Sequence, residues 1–129
     1  MCALMAALAF FAVLAQPAQQ VPGRVMTLAL PHALRAGETA WLEVKVGVIE
    51  RGEEIEIQTT AGQPLGTISP FGVRSGQPAG TYTVPVPPGA IANDHLSLRL
   101  LIDQSSHAQR GPTVKEVSRV RVKIMPATR

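Results

Sequence analysis

The sequence predicts an all-β fold, a single antiparallel β-sandwich of about seven strands preceded by an N-terminal signal segment. Three observations carry this expectation. Apolar residues recur with a period of two, as in Leu96, Leu98, Leu100 and Ile102 set against Ser97 and Arg99; that period marks a strand with one buried face. Gly and Pro stand at 11 each and punctuate such segments, while no long stretch carries a helical period. A length of 129 residues leaves room for one domain.

In chain order, Ala3 to Ala15 is an uncharged apolar run. A membrane span needs roughly 20 apolar residues, so this run suits the core of a secretory signal. Val13-Leu14-Ala15 and Gln16-Pro17-Ala18 both offer small-residue cleavage sites. No Lys or Arg precedes the run, which departs from the usual signal pattern; an uncleaved membrane anchor is the alternative. The expected organisation is a signal peptide over 1–18, a flexible lead-in over 19–23 and the sandwich over 24–126, in a periplasmic or secreted protein. Cys2 is the only cysteine and precedes the apolar run, so the mature chain is expected to lack disulfides, thiol chemistry and a lipid anchor.

The first strand is expected over Arg24 to Leu30, ended by Pro31. Thr39 to Val48 forms the second, with Leu42, Val44, Val46 and Val48 on one face and Trp41, Glu43 and Lys45 on the other. Glu53 to Thr59 follows with Ile55 and Ile57 inward, then a short strand from Pro64 to Ile68. Ser69 to Ala79, broken by Pro70, Gly72, Gly76 and Pro78, is the longest internal loop, the kind of segment in which binding often resides. The stretch from Gly80 to Ile102 organises the whole. Tyr82, Val84 and Val86 face inward in its first strand, Pro87-Pro88-Gly89 punctuates it, and the leucine series makes its second. A polar loop from Asp103 to Pro112 leads to a last strand from Val114 to Met125. There Val120, Val122 and Ile124 alternate with Arg119, Arg121 and Lys123. Val117 breaks parity with Val114, which places a bulge near Glu116.

Two sandwich families are resembled. The succession Leu-Glu-Val-Lys-Val, Glu-Ile-Gln-Thr-Thr-Ala-Gly-Gln-Pro-Leu-Gly, Tyr-Thr-Val-Pro-Val-Pro, Leu-Ser-Leu-Arg-Leu and Val-Ser-Arg-Val-Arg-Val is similar to galactose-binding-like jelly-roll domains, over Ala40 to Ile124. The chain is short for that family and has Ala-Gly-Gln where an Asn-Gly turn is usual. Gly80-Thr81-Tyr82 resembles the tyrosine corner of immunoglobulin-like or fibronectin type III-like sandwiches, which implies a Tyr82 hydroxyl bonded to the upstream backbone. No cysteine pair accompanies it. Both scaffolds host many unrelated sites, so neither resemblance implies a function.

Charge is uneven although the net value is only +3. Carboxylates crowd Glu38 to Glu56, and bases crowd the chain from Arg99 onwards. Interspersed charge is what soluble surfaces ordinarily carry; the functional reading is a basic face for an acidic ligand. The candidate ligand-binding residues are Trp41, Arg99, Arg119, Arg121 and Lys123. Trp41 falls on the polar face of its strand, where its ring can stack on a sugar or a partner, or cover a core edge. Aromatic content of 4% leaves almost no stacking platform, which argues against single-stranded nucleic acid. Envelope polysaccharide or another exported protein is therefore the expected partner.

Asp94, His95, Ser97, Asp103, Ser105, Ser106 and His107 contain the ingredients of a hydrolytic triad, but they are also ordinary turn residues. No Gly-Xaa-Ser-Xaa-Gly turn supports catalysis. No calcium-loop signature or zinc-spaced His pair occurs, so neither a metal nor another cofactor is expected. The expectation is a non-enzymatic binding or accessory module, with an assembly protein binding others through its edge strands as the alternative and a small hydrolase as the remote contrast.

Overall fold

The computed structural model describes residues 22–70, 76–104 and 107–126. The expected signal segment, Ser105, Ser106 and the middle of the Ser69 to Ala79 loop lie outside them. Among the described residues eight strands form two sheets: β1 (Arg24–Ala29), β2 (Thr39–Val46), β3 (Glu54–Thr59), β4 (Pro64–Ile68), β5 (Gly80–Val86), β6 (His95–Gln104), β7 (His107–Arg110) and β8 (Val117–Met125). One sheet runs β1-β6-β3-β4, and β7 follows β1 along the same side of β6. The other runs β5-β2-β8. Every pairing is antiparallel.

The period-two pattern places one side chain in two between the sheets. Leu42, Val44 and Val46 of β2 meet Leu98, Leu100 and Ile102 of β6 and Ile55 and Ile57 of β3, all buried. Each such side chain removed from water contributes roughly 1.5–3 kcal/mol before entropy is counted. Tyr82 packs half-buried against this core, and its hydroxyl donates to Ala79 O at 3.3 Å. That is the upstream bond the tyrosine corner implies. Pro85 cannot donate to a ladder, which is consistent with β5 standing at a sheet edge.

Four expectations change. The strands within Gly80 to Ile102 both form, but β5 and β6 belong to different sheets, so their connection is a crossover. The hairpin-like reversal sits later, where Asn93 and Asp94 take φ of 53° and 60° between Ala92 and His95, which exchange two backbone bonds of 3.0 Å. Consecutive positive φ values at two central residues are a type I′ turn.

The expected loop from Asp103 to Pro112 contains β7, whose His-Ala-Gln-Arg sequence has no apolar alternation to reveal it. β2 stops at Val46 because Gly47 is held in close contact. Its N–H donates to Glu116 O (2.8 Å), its carbonyl accepts from Ala79 N (3.0 Å), and a Cβ there would lie 2.0 Å from Lys115 O. Val48 is consequently 45% exposed instead of joining the core.

Finally, β8 starts at Val117. Val114 is 71% exposed in a turn where Glu116 N and Val117 N both donate to Thr113 O. The bulge falls at Ser118, since Lys45 faces Arg119 while Val46 faces Val117.

Candidate functional site

The outer face of the three-stranded sheet gathers four of the five candidate residues. Register does this: Trp41 pairs with Lys123 on β8 and Pro85 on β5, Glu43 with Arg121 and Thr83, and Lys45 with Arg119 and Thr81. Residues directly opposite point to the same side of a sheet, with Cβ atoms about 4.5–5.5 Å apart. Trp41 is half-buried, between the positions of Pro85 and Lys123. Lys45, absent from the candidate set, belongs to the face by the same parity that turns Trp41 away from the core.

The charges on this face do not balance. Glu43 accepts from Arg121 Nε at 2.7 Å and pairs with Lys123 Nζ. Those two cations, Lys123 first, hold its carboxyl below the usual range. One acid thus serves two bases. At the other end Lys45 and Arg119 stand directly opposite, both exposed, and neither pairs with a carboxylate among the described residues. Like charges facing across strands are destabilising. Folding gains nothing from this arrangement.

Arg99 is a correction. It lies on β6 in the other sheet, opposite Val25 and Gln58, and faces away from the basic strand. Its aliphatic stem fills the place where a Cβ on Gly23 would stand, 2.6 Å from Cγ. Parity on β6 predicts its outward direction, but sheet membership is a tertiary property. Arg99 is packed against the lead-in rather than displayed beside β8.

A second charged cluster was not legible in the sequence. Arg110 on β7 donates to both oxygens of Glu116 (2.7 and 2.8 Å) and reaches Glu53 Oε1 at 3.4 Å. Glu116 also accepts from Thr113 N at 2.9 Å. The Arg110 bonds bring the Glu116 pKa down to about 2, whereas burial pushes that of Glu53 up. Both carboxylates are buried. The triad ties the turn before β3 to β7 and to the turn before β8, and its groups are occupied with one another.

His95 and Ser97 line an open cleft with Thr59, Thr60, Gln63 and Ala92. The His95 ring is engaged through Nδ1 with Asn93 O (2.7 Å), and Ser97 Oγ bonds with Thr27 Oγ1 (3.2 Å). This geometry directs each side chain to a turn or a neighbouring strand rather than to the other, whereas a triad needs nucleophile and base joined. The His107 side chain lies outside the described residues.

No protein-family model, curated protein or solved structure matches the chain, so the reading of the basic face rests on its own geometry.

Proposed function

We propose that the chain is an exported, non-enzymatic binding module that recognises an acidic envelope polysaccharide through the outer face of β2, β5 and β8. The observation that carries the reading is the uncompensated pair of Lys45 and Arg119, in line with Arg121 and Lys123. Two exposed cations held opposite each other raise the local potential for a polyanion. At the far end of the same face, Trp41 offers a ring against which a sugar can stack, and Thr81 and Thr83 add hydroxyls for hydrogen bonding.

Trp41 is the sole tryptophan and reports directly. Titration with acidic oligosaccharides is expected to change its emission saturably, with affinity falling as salt rises from about 10 to about 150 mM and the Debye length shrinks from about 30 to about 8 Å. Neutral oligosaccharides should bind far more weakly. Indifference of the emission to every acidic glycan at low salt, or an unchanged affinity in the Lys45→Ala, Arg119→Ala double variant, would sink the reading.

For the scaffold we infer the immunoglobulin-like alternative. β2 beside β5 in one sheet and β3 beside β6 in the other are the B–E and C–F pairings of that fold. β8 then occupies the place of strand A and β1 that of strand G. An experimental structure in which β2 is not beside β5, or β3 not beside β6, would overturn this assignment.

A further inference from the structure

The two margins of the sandwich are closed unequally. At the β4–β5 margin Ile68, Val84 and Val86 are 4%, 7% and 2% exposed, and Tyr82 is the inward residue of β5 left half-buried. At the β1–β8 margin Met26 and Leu28 on β1, and Val120, Val122 and Ile124 on β8, are all only half-buried. The cause is strand number. The β1-β6-β3-β4 sheet is four positions wide, and the β5-β2-β8 sheet three. Arg24 closes one end of the margin, its Nη1 donating to Val117 O at 3.0 Å. Beyond the bulge at Ser118, β8 pairs with β2 alone among the described residues, which leaves its outer ladder from Arg119 to Met125 without a partner strand.

We infer that the free edge of β8 is a site for strand addition, and that its occupant is an extended segment of another protein in which acidic and apolar residues alternate. Backbone bonds to a sheet edge supply affinity in this mode, and alternate side chains supply selectivity. One face of the incoming strand would complete the half-buried row of Val120, Val122 and Ile124. Its other face would lie beside Arg119, Arg121 and Lys123, of which only the latter two share a carboxylate. A second copy of β8 is a poor occupant, because a basic row would meet a basic row. Charge complementarity therefore selects an acidic partner. This goes beyond polysaccharide recognition, since it needs the β8 backbone as well as its cations.

The test uses fluorescein-labelled peptides: one of alternating Glu and Val, its Lys/Val counterpart, and a Glu/Val peptide of the same composition with the charges clustered. The alternating Glu/Val peptide is expected to bind at least about tenfold more tightly than either control, a difference of about 1.4 kcal/mol. It should also slow hydrogen exchange at the outward-facing amides between Arg119 and Met125. The Arg121→Glu, Lys123→Glu variant, checked for native circular dichroism, should prefer the Lys/Val peptide. Equal binding of the three peptides, or binding that leaves β8 exchange unchanged, would overturn the inference. An acidic oligosaccharide that alters Trp41 emission without protecting β8 amides would leave the glycan reading standing by itself, so the two proposals fail separately.

Discussion

Replacing Arg119 by Glu should make this protein more stable and less able to bind. In the native chain Lys45 and Arg119 are cross-strand neighbours of like charge. Arg119→Glu removes that repulsion and creates an opposite-charge pair at the same spacing. Each of these two effects is worth roughly 0.2–1 kcal/mol between directly opposed residues. Both side chains are exposed, so screening keeps the sum near about 1 kcal/mol. For a domain of roughly 100 residues that corresponds to a rise in Tm of about 4–8 °C. Binding moves the other way. A unit charge at 4 Å in water is worth about 1 kcal/mol, and reversal changes the face by two charges. The expected loss is therefore about 2 kcal/mol, close to thirtyfold in Kd. Thermal melts by circular dichroism, paired with titration of Trp41 emission against an acidic oligosaccharide, measure both quantities. Arg119→Ala should give roughly half the stabilisation. A lower Tm for Arg119→Glu, or an unchanged glycan affinity, would refute the reasoning.

Acid should loosen the Arg110 cluster. A Glu116 pKa lowered from 4.5 to about 2 contributes up to about 3 kcal/mol at neutral pH. The Arg110 side chain is 47% exposed, which screens the interaction down to about 1–2 kcal/mol. A depressed carboxyl pKa stabilises the fold above the unfolded value, so this contribution disappears as pH falls from about 4.5 to 2. The raised pKa of Glu53 has the opposite sign and offsets part of it. Urea melts at pH 7, 4 and 2.5 should reveal a loss that the Glu116→Gln variant lacks. Gly47→Ala should cost about 3 kcal/mol or more, because its Cβ would meet the Lys115 carbonyl; an unchanged melt would mean that this backbone contact yields freely. Tyr82→Phe should cost about 0.5–1.5 kcal/mol by removing the bond to Ala79 O, read as a shift in the urea midpoint.

Strand existence was legible wherever one face is apolar and the other polar. Parity alone reveals the strands expected over Thr39 to Val48 and Glu53 to Thr59 and the leucine series from Leu96 to Ile102, together with the outward direction of Trp41, although it carries the first of them two residues past its end at Val46. Partnership was not. Parity tells which face a residue occupies but not which strand lies beside it, so Arg99 and Arg119 look equivalent in the sequence and end on opposite sheets. β7 could not be seen because pairing with Ile102 and Gln104, together with the Arg110 bonds, defines it rather than any periodicity of its own. Glu53 and Glu116 read as surface carboxylates until the fold brings Arg110 between them, across 57 and 6 residues of sequence respectively.

The sheet order also dictates how the protein is made. β2 lies between β5 and β8, and its bond from Arg121 to Glu43 spans 78 residues; the contact of Thr27 with Ser97 across β1 and β6 spans 70. Neither sheet can be completed from neighbouring segments. Such non-local pairing places folding on the order of milliseconds to seconds. Until Val117 to Met125 has been synthesised, the strand from Thr39 to Val46 carries an unprotected edge of its own. A nascent chain halted there presents Leu42, Val44 and Val46 to whatever lies nearby, so the inner edge of β8 is the seal that keeps β2 from aggregating.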